Sequence, residues 1–195
     1  MKILIAIPTF EHVQNEVFQA VWDLDKCGHS VDLKIVTGHD CAQARTKIAE
    51  IAIDAGYDYV LYVDSDTVIP RDTLKYLLDP AADIVMGCCP RKNTEKQDYP
   101  LCPVSCPDLS KALTFNELQG SSRIELKVGV FACALVKTSV FSKISYPYFR
   151  YVVYENKKAL SEDFYFCLEA KRENIKIWAD PRVKCGHLAR YYQYK

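Results

Sequence analysis

The 195-residue sequence predicts a single-domain α/β fold, with a mostly parallel central sheet flanked by helices. Three observations carry this expectation. The runs KILIAI (2–7), YDYVLYV (57–63) and ADIVMGC (82–88) are apolar throughout, as strands covered on both faces require. Segments with apolar residues at helical spacing stand between them. The connections are short, which suits strand–helix–strand units.

After the first strand, residues 13–28 place Val13, Val17, Ala20, Val21 and Leu24 on one helical face, with Gly28 as the stop. A partly alternating strand follows at 31–36. Residues 40–56 predict a second helix, capped by Asp40, striped with Ile48, Ile51, Ala52 and Ala55, and ended by Gly56. The aromatic and β-branched run 57–63 is the third strand. Pro70 suits a helix's first turn, so 70–79 predicts a helix, and 82–88 the next strand. From 90 to about 126 the rhythm fails in a polar stretch with four prolines, which reads as an irregular excursion from the sheet. Residues 126–141 then predict a strand containing Gly129, a second apolar segment and a brief helix near Thr138. Residues 160–175 predict a helix with Ser161 as its cap and two acids in its first turn. Residues 176–180 and 182–188 read as two short strands.

Composition narrows the function. Lysine and arginine total 25, as do aspartate and glutamate, so no basic field attracts nucleic acid, and no nucleic-acid-binding module is recognisable. No apolar run approaches the roughly 20 residues that span a bilayer, so no transmembrane segment is expected. The N-terminus reads as a strand rather than a signal peptide. Nine cysteines, an odd number, argue against a fully paired extracellular framework and for a reducing cytoplasm. Cys102 and Cys106 have zinc-knuckle spacing, but no second pair matches them, so structural zinc is the weaker reading. Oligomeric state is not legible.

Ligands of open α/β sheets bind outside the carboxyl ends of the strands. Pro8 and Thr9 follow the first strand, Asp64, Ser65 and Asp66 the third, and His187 the last strand-like segment, while Glu162 and Asp163 open the late helix. Asp64 and Asp66 are two residues apart and point the same way if the strand persists. Two such carboxylates repel. Magnesium or manganese would remove the conflict and could bridge to nucleotide phosphates. DSD ahead of a helix is also a good capping sequence, and both readings stand. A lone histidine is more often structural, yet imidazole is a good manganese ligand. Glu162 and Asp163 are favoured at a helix N-terminus by its dipole, and either could act as a general base. Arg45, near the start of the helix at 40–56, could meet a phosphate or a base, or stay solvated. Gly129 allows close approach of a ligand or marks a bulge. The tyrosine-rich YPYFRYVVY (146–154) could stack on sugar faces or fill the core.

In this order, AIPTF, YVDSDTVIP, VGVFACALV, SEDFYF and CGHL resemble a nucleotide-sugar glycosyltransferase of the GT-A fold, in pattern the family-2-like enzymes. The resemblance covers residues 2–188. It implies one Rossmann-like GT-A domain over 1–195: a nucleotide-binding half at 1–89, the excursion at 90–125, and an acceptor and catalytic half at 126–195. It implies transfer of a sugar from a nucleotide-diphosphate-sugar donor to a hydroxyl of a glycan or other acceptor, with Mn2+ or Mg2+ as cofactor; direct attack would invert the anomeric centre, and retention stays open because donor-site motifs do not fix stereochemistry. Pro8, Thr9, Arg45, Asp64, Ser65 and Gly129 would then line the donor site. Asp66 would hold the metal with Asp64 and His187 assisting, and Asp163 would be the base, with Glu162 the second candidate. Two rivals remain. A non-catalytic sugar-nucleotide-binding protein of the same fold would keep these ligands. A nucleotidyltransferase would need a glycine-rich basic loop after the first strand, which PTFEHVQNE lacks.

Overall fold

The computed structural model describes residues 1–90, 122–155 and 159–188. Along the chain these form β1 (Lys2–Pro8), α1 (Asn15–Trp22), β2 (Ser30–Val36), α2 (Cys41–Asp54), β3 (Tyr59–Val63), β4 (Thr67–Val68), α3 (Thr73–Leu77) and β5 (Ile84–Cys88). There follow β6 (Ile124–Leu126), β7 (Cys133–Lys137), a 3-10 turn (Thr138–Ser142), β8 (Val152–Val153), β9 (Ala159–Leu160), α4 (Glu162–Arg172), β10 (Ile177–Lys184) and β11 (Gly186–His187).

Seven strands make one sheet in the order β2-β1-β3-β7-β5-β10-β6. β2, β1 and β3 run parallel, as do β5 and β10, while β7 lies antiparallel between β3 and β5, and β6 antiparallel on β10. β3 and β5 are buried along their whole length, which explains their uninterrupted apolar runs. One face of the sheet packs on α2, α4 and the 3-10 turn through Ile48, Phe166 and Phe141. The other packs on α1 and α3 through Val17, Val21, Leu74 and Leu77.

Several expected boundaries shift for local reasons. α1 stops at Trp22, well before Gly28. The Asp25 carboxylate accepts from the Cys27 N–H at 2.9 Å, and the Asp25 N–H donates to the Arg71 carbonyl at 2.8 Å, so local and tertiary bonds replace the helical ladder. α2 begins as expected, with Asp40 accepting from the Gln43 N–H at 2.9 Å, but Ala55 is its exposed C-cap rather than part of the stripe. α3 is only one turn and a half, and Pro70 precedes it: the Pro70 carbonyl accepts from the N–H and hydroxyl of Thr73. Gly129 lies outside any strand. A Cβ there would overlap the Met86 sulfur on β5, so its smallness serves core packing. β10 is one strand where two were expected, running through Pro181 across a register irregularity between Ala179 and Lys184, the place where a strand tolerates proline.

Of the seven described cysteines, Cys27 and Cys41 are exposed and Cys88, Cys89, Cys133, Cys167 and Cys185 are buried. Cys102, Cys106, most of the 90–125 excursion and the tail 189–195 lie outside the described residues. Among the described residues no helix is long and apolar enough to cross a membrane.

Candidate active site

The register Ala6↔Tyr62 brings the carboxyl ends of β1 and β3 side by side. Asp64 follows β3 directly, its N–H bonded to the Ala132 carbonyl at 3.0 Å. The chain then turns, with the Thr67 N–H donating to the Asp64 carbonyl at 3.0 Å and the Gln14 N–H to the Ser65 carbonyl at 3.1 Å. This turn ends the strand period, so the two aspartates part. Asp64 faces Arg45, and Asp66 faces His187.

His187 arrives from the far end of the chain on a small ribbon. β11 pairs antiparallel with β4, opposing His187 to Thr67, and the Leu188 N–H bonds to the Asp66 carbonyl at 2.9 Å. The ring Nε2 lies 3.4 Å from Asp66 Oδ1, while Nδ1 lies 2.7 Å from the Pro90 carbonyl. A carbonyl can only accept, so Nδ1 carries a proton and donates it to Pro90, while Nε2 faces the Asp66 carboxylate. Carbonyl-oriented imidazole beside a carboxylate is a usual arrangement of metal ligands. Among the described residues no group of three or more His, Cys, Asp or Glu side chains is placed to hold a metal. Of the expected set, Asp66 and His187 face one another and Asp64 is bound to Arg45.

The second cluster is built on Arg45. This residue is 3% exposed, with Nη2 bonded to Asp64 Oδ1 at 2.8 Å and Nη1 bonded to Glu162 Oε1. The Phe131 ring lies 5.7 Å from its guanidinium carbon, and the Tyr62 hydroxyl donates to its backbone carbonyl at 3.2 Å. Arg45 therefore clamps two carboxylates and does not stand open to a phosphate. Ser161 precedes α4 but gives it no side-chain cap; its hydroxyl donates to Asp163 Oδ1, which also accepts from the Phe164 N–H at 2.8 Å. Pro8 closes β1, and Thr9 spends its hydroxyl on the His12 carbonyl at 2.7 Å, shaping the loop beside the cleft.

One cation serves three nearby acids. Burial opposes the Arg45 charge, but the Asp64, Glu162 and Asp163 carboxylates hold its pKa above the ordinary guanidinium value. Burial raises the pKa of Asp64 and of Glu162 above the usual carboxyl range, more than Arg45 pulls them down. Asp64 is raised further by both Asp66 and Asp163, which places it between the two clusters. A carboxyl with a raised folded-state pKa stabilises the fold fully below its unfolded pKa, and that contribution is lost as pH rises through the folded value. Asp180 titrates with the opposite sign: burial raises its pKa, yet hydrogen bonds from Arg182 and Arg123 leave it lowered. The parent is therefore compared with Asp64→Asn/Glu162→Gln in urea unfolding at a series of pH values. The parent should lose stability relative to that variant as pH rises above about 4. A relative gain over the same range contradicts the assignment.

No family model and no curated protein sequence matches the chain. Solved structures do match its fold. A197 from STIV superposes with a TM-score of 0.66 at 16% identity, covering 97% of this chain and 87% of that one. GalNAc-T7, solved with UDP, GalNAc and Mn2+, gives 0.62 at 11% identity, and the match spans 97% of this chain but 44% of GalNAc-T7. A mutant of Drosophila β1,4-galactosyltransferase 7, in complex with manganese, UDP-Gal and xylobiose, gives 0.55 at 13% identity over 97% of this chain and 72% of that one. The inositol-1-phosphate CTP transferase from T. maritima shares the topology at 0.51 and 10% identity, over 94% and 88%. The fold is thus a single-domain, Rossmann-like GT-A fold, the architecture of glycosyltransferases, with a nucleotidyltransferase also among its neighbours. At these identities the likeness speaks for the fold alone.

Proposed function

We propose that the chain is a metal-dependent glycosyltransferase that moves a sugar from a nucleotide-diphosphate-sugar donor to an acceptor hydroxyl with inversion. The observation that carries this reading is the Asp66–His187 pair, 3.4 Å apart, with His187 oriented by the Pro90 carbonyl. One carboxylate and one imidazole fit manganese or magnesium, ions that commonly take their remaining ligands from substrate phosphates and water. A cation bound there supplies charge neutralisation for the departing diphosphate.

The chain's own groups then have distinct tasks. Pro8, Thr9 and Ser65 line the donor side of the cleft, and Asp64, fixed by Arg45, faces the donor's ribose or sugar. Asp163 takes the proton as the acceptor oxygen bonds to the anomeric carbon and the bond from that carbon to the diphosphate breaks. Ser161 and the Phe164 N–H hold its carboxylate in place for this step. Glu162 is bound to Arg45, so it positions its neighbour and leaves the base role to Asp163. The odd number of cysteines, nine, supports a reducing, cytoplasmic setting.

The test titrates manganese with a panel of UDP-, GDP- and TDP-sugars while reading thermal stability. At least one nucleotide sugar should raise the melting temperature only with manganese present, and Asp66→Ala should weaken that response by roughly tenfold or more. Absence of any manganese-dependent response in the parent protein rejects the proposal. A response without turnover of any donor would mark a non-catalytic sugar-nucleotide-binding protein, and release of pyrophosphate from a nucleoside triphosphate would mark a nucleotidyltransferase.

A further inference from the structure

A pocket of about 480 Å3 lies between α2 and the segment 146–151. Its first wall is the polar stripe of α2, where Asp40, Gln43, Lys47 and Glu50 recur at helical spacing. Its second wall carries Tyr146 and Tyr151, 64% and 55% exposed, the parts of the tyrosine-rich run that the core does not absorb. Phe149, by contrast, is buried and stacks on Phe166 at 4.5 Å. The walls are tied together beneath, because the Phe149 N–H donates to the Thr46 hydroxyl at 3.3 Å and that hydroxyl reaches the Phe149 carbonyl at 3.4 Å.

We infer that this pocket is the acceptor subsite and that it takes a neutral pyranose unit of a glycan, an assignment that rests on the glycosyltransferase reading. Its charges are balanced and already engaged. Lys47 pairs with Glu50 at 3.1 Å, Asp40 caps α2, and Arg150 stacks on the Tyr165 ring at 4.4 Å. Such a lining offers no net field to a phosphate, whereas its alternating donors and acceptors suit the hydroxyls of a sugar. The two tyrosine rings offer flat apolar surfaces to the C–H faces of a pyranose. The volume suits one or two sugar units.

Tyr151 links the pocket to the site. The hairpin of β8 and β9 pairs Val152 with Leu160, which sets Tyr151 across from Ser161 at the start of α4. The phenol of Tyr151 is pushed up to about 12 by burial and by the nearby Glu162, Cys41 and Asp40. A sugar seated on Tyr146 and Tyr151 is thus presented to the end of α4 that carries Asp163.

Saturation-transfer NMR with xylobiose, lactose and chitobiose tests the subsite, and the manganese-dependent nucleotide-sugar response reports the donor site separately. At least one disaccharide should receive saturation on its ring protons in the parent. Tyr146→Ala should cut that signal about fivefold, Tyr146→Phe should keep it, and the nucleotide-sugar response should hold in both variants. No saturation of any of the three disaccharides, with or without manganese and UDP, GDP or TDP, overturns the subsite while leaving the donor reading to its own titration. A nucleotide-sugar response lost in Tyr146→Ala also overturns it, in favour of a nucleobase pocket.

Discussion

Asp163→Asn is expected to lower sugar transfer by on the order of 1000-fold while manganese-dependent nucleotide binding survives. The substitution removes a proton acceptor and little else. An asparagine carbonyl can still accept from the Ser161 hydroxyl and the Phe164 N–H, so the start of α4 keeps its local bonds. The acid next to it cannot simply take over, because the Glu162 carboxylate is bound to Arg45. Single-turnover assays with the best donor from the titration provide the measurement. Turnover within tenfold of the parent would refute Asp163 as the base, and loss of nucleotide binding together with transfer would make its role structural.

The second large effect is expected on stability. Arg45→Met should cost about 3–5 kcal/mol, because it leaves Asp64 and Glu162 beside each other in a desolvated site without their cation. The loss should be greater at pH 8 than at pH 5, since the stranded carboxyls can take up protons at the lower pH. Asp64→Asn/Glu162→Gln in the Arg45→Met background should recover a good part of the loss, the coupling that contacting residues show. Urea unfolding of the set provides the test. A cost under about 1 kcal/mol for Arg45→Met would mean that the arginine is not the cluster's keystone.

Much of the sheet was legible because buried parallel strands write themselves as unbroken apolar runs, as Ile84–Cys88 and Tyr59–Val63 do. The overestimated helices fail for a shared reason. Apolar spacing continued past Trp22 to Leu24, and Leu24 is indeed buried, but the bonds of Asp25 turn the backbone before a helix can carry it there. Gly129 was visible as a special position, yet its cause, the Met86 sulfur, sits on β5, distant in sequence, and leaves no trace in the local sequence. The same holds at the site. Asp64, Asp66, Glu162, Asp163 and His187 could be picked out by type and position, but their partition into two clusters depends on the turn after Val63 and on Arg45 reaching a residue far along the chain. The orienting group of His187 is a backbone carbonyl, and no residue identity announces it.

The β4–β11 ribbon has a consequence for how the cleft closes. Asp66 stands in the middle of the chain's core and His187 near its end, and a ribbon with two residues on each strand, extended by the Leu188 N–H bond to the Asp66 carbonyl, sets them opposite one another. So short a ladder is among the first places where a fold opens. A cation gripped by both side chains would act as a latch on that opening, and apo protein should exchange its Thr67 and Leu188 amide hydrogens faster than protein saturated with manganese and nucleotide. The cleft is in that sense a closure, complete only when the end of the core lies against its middle.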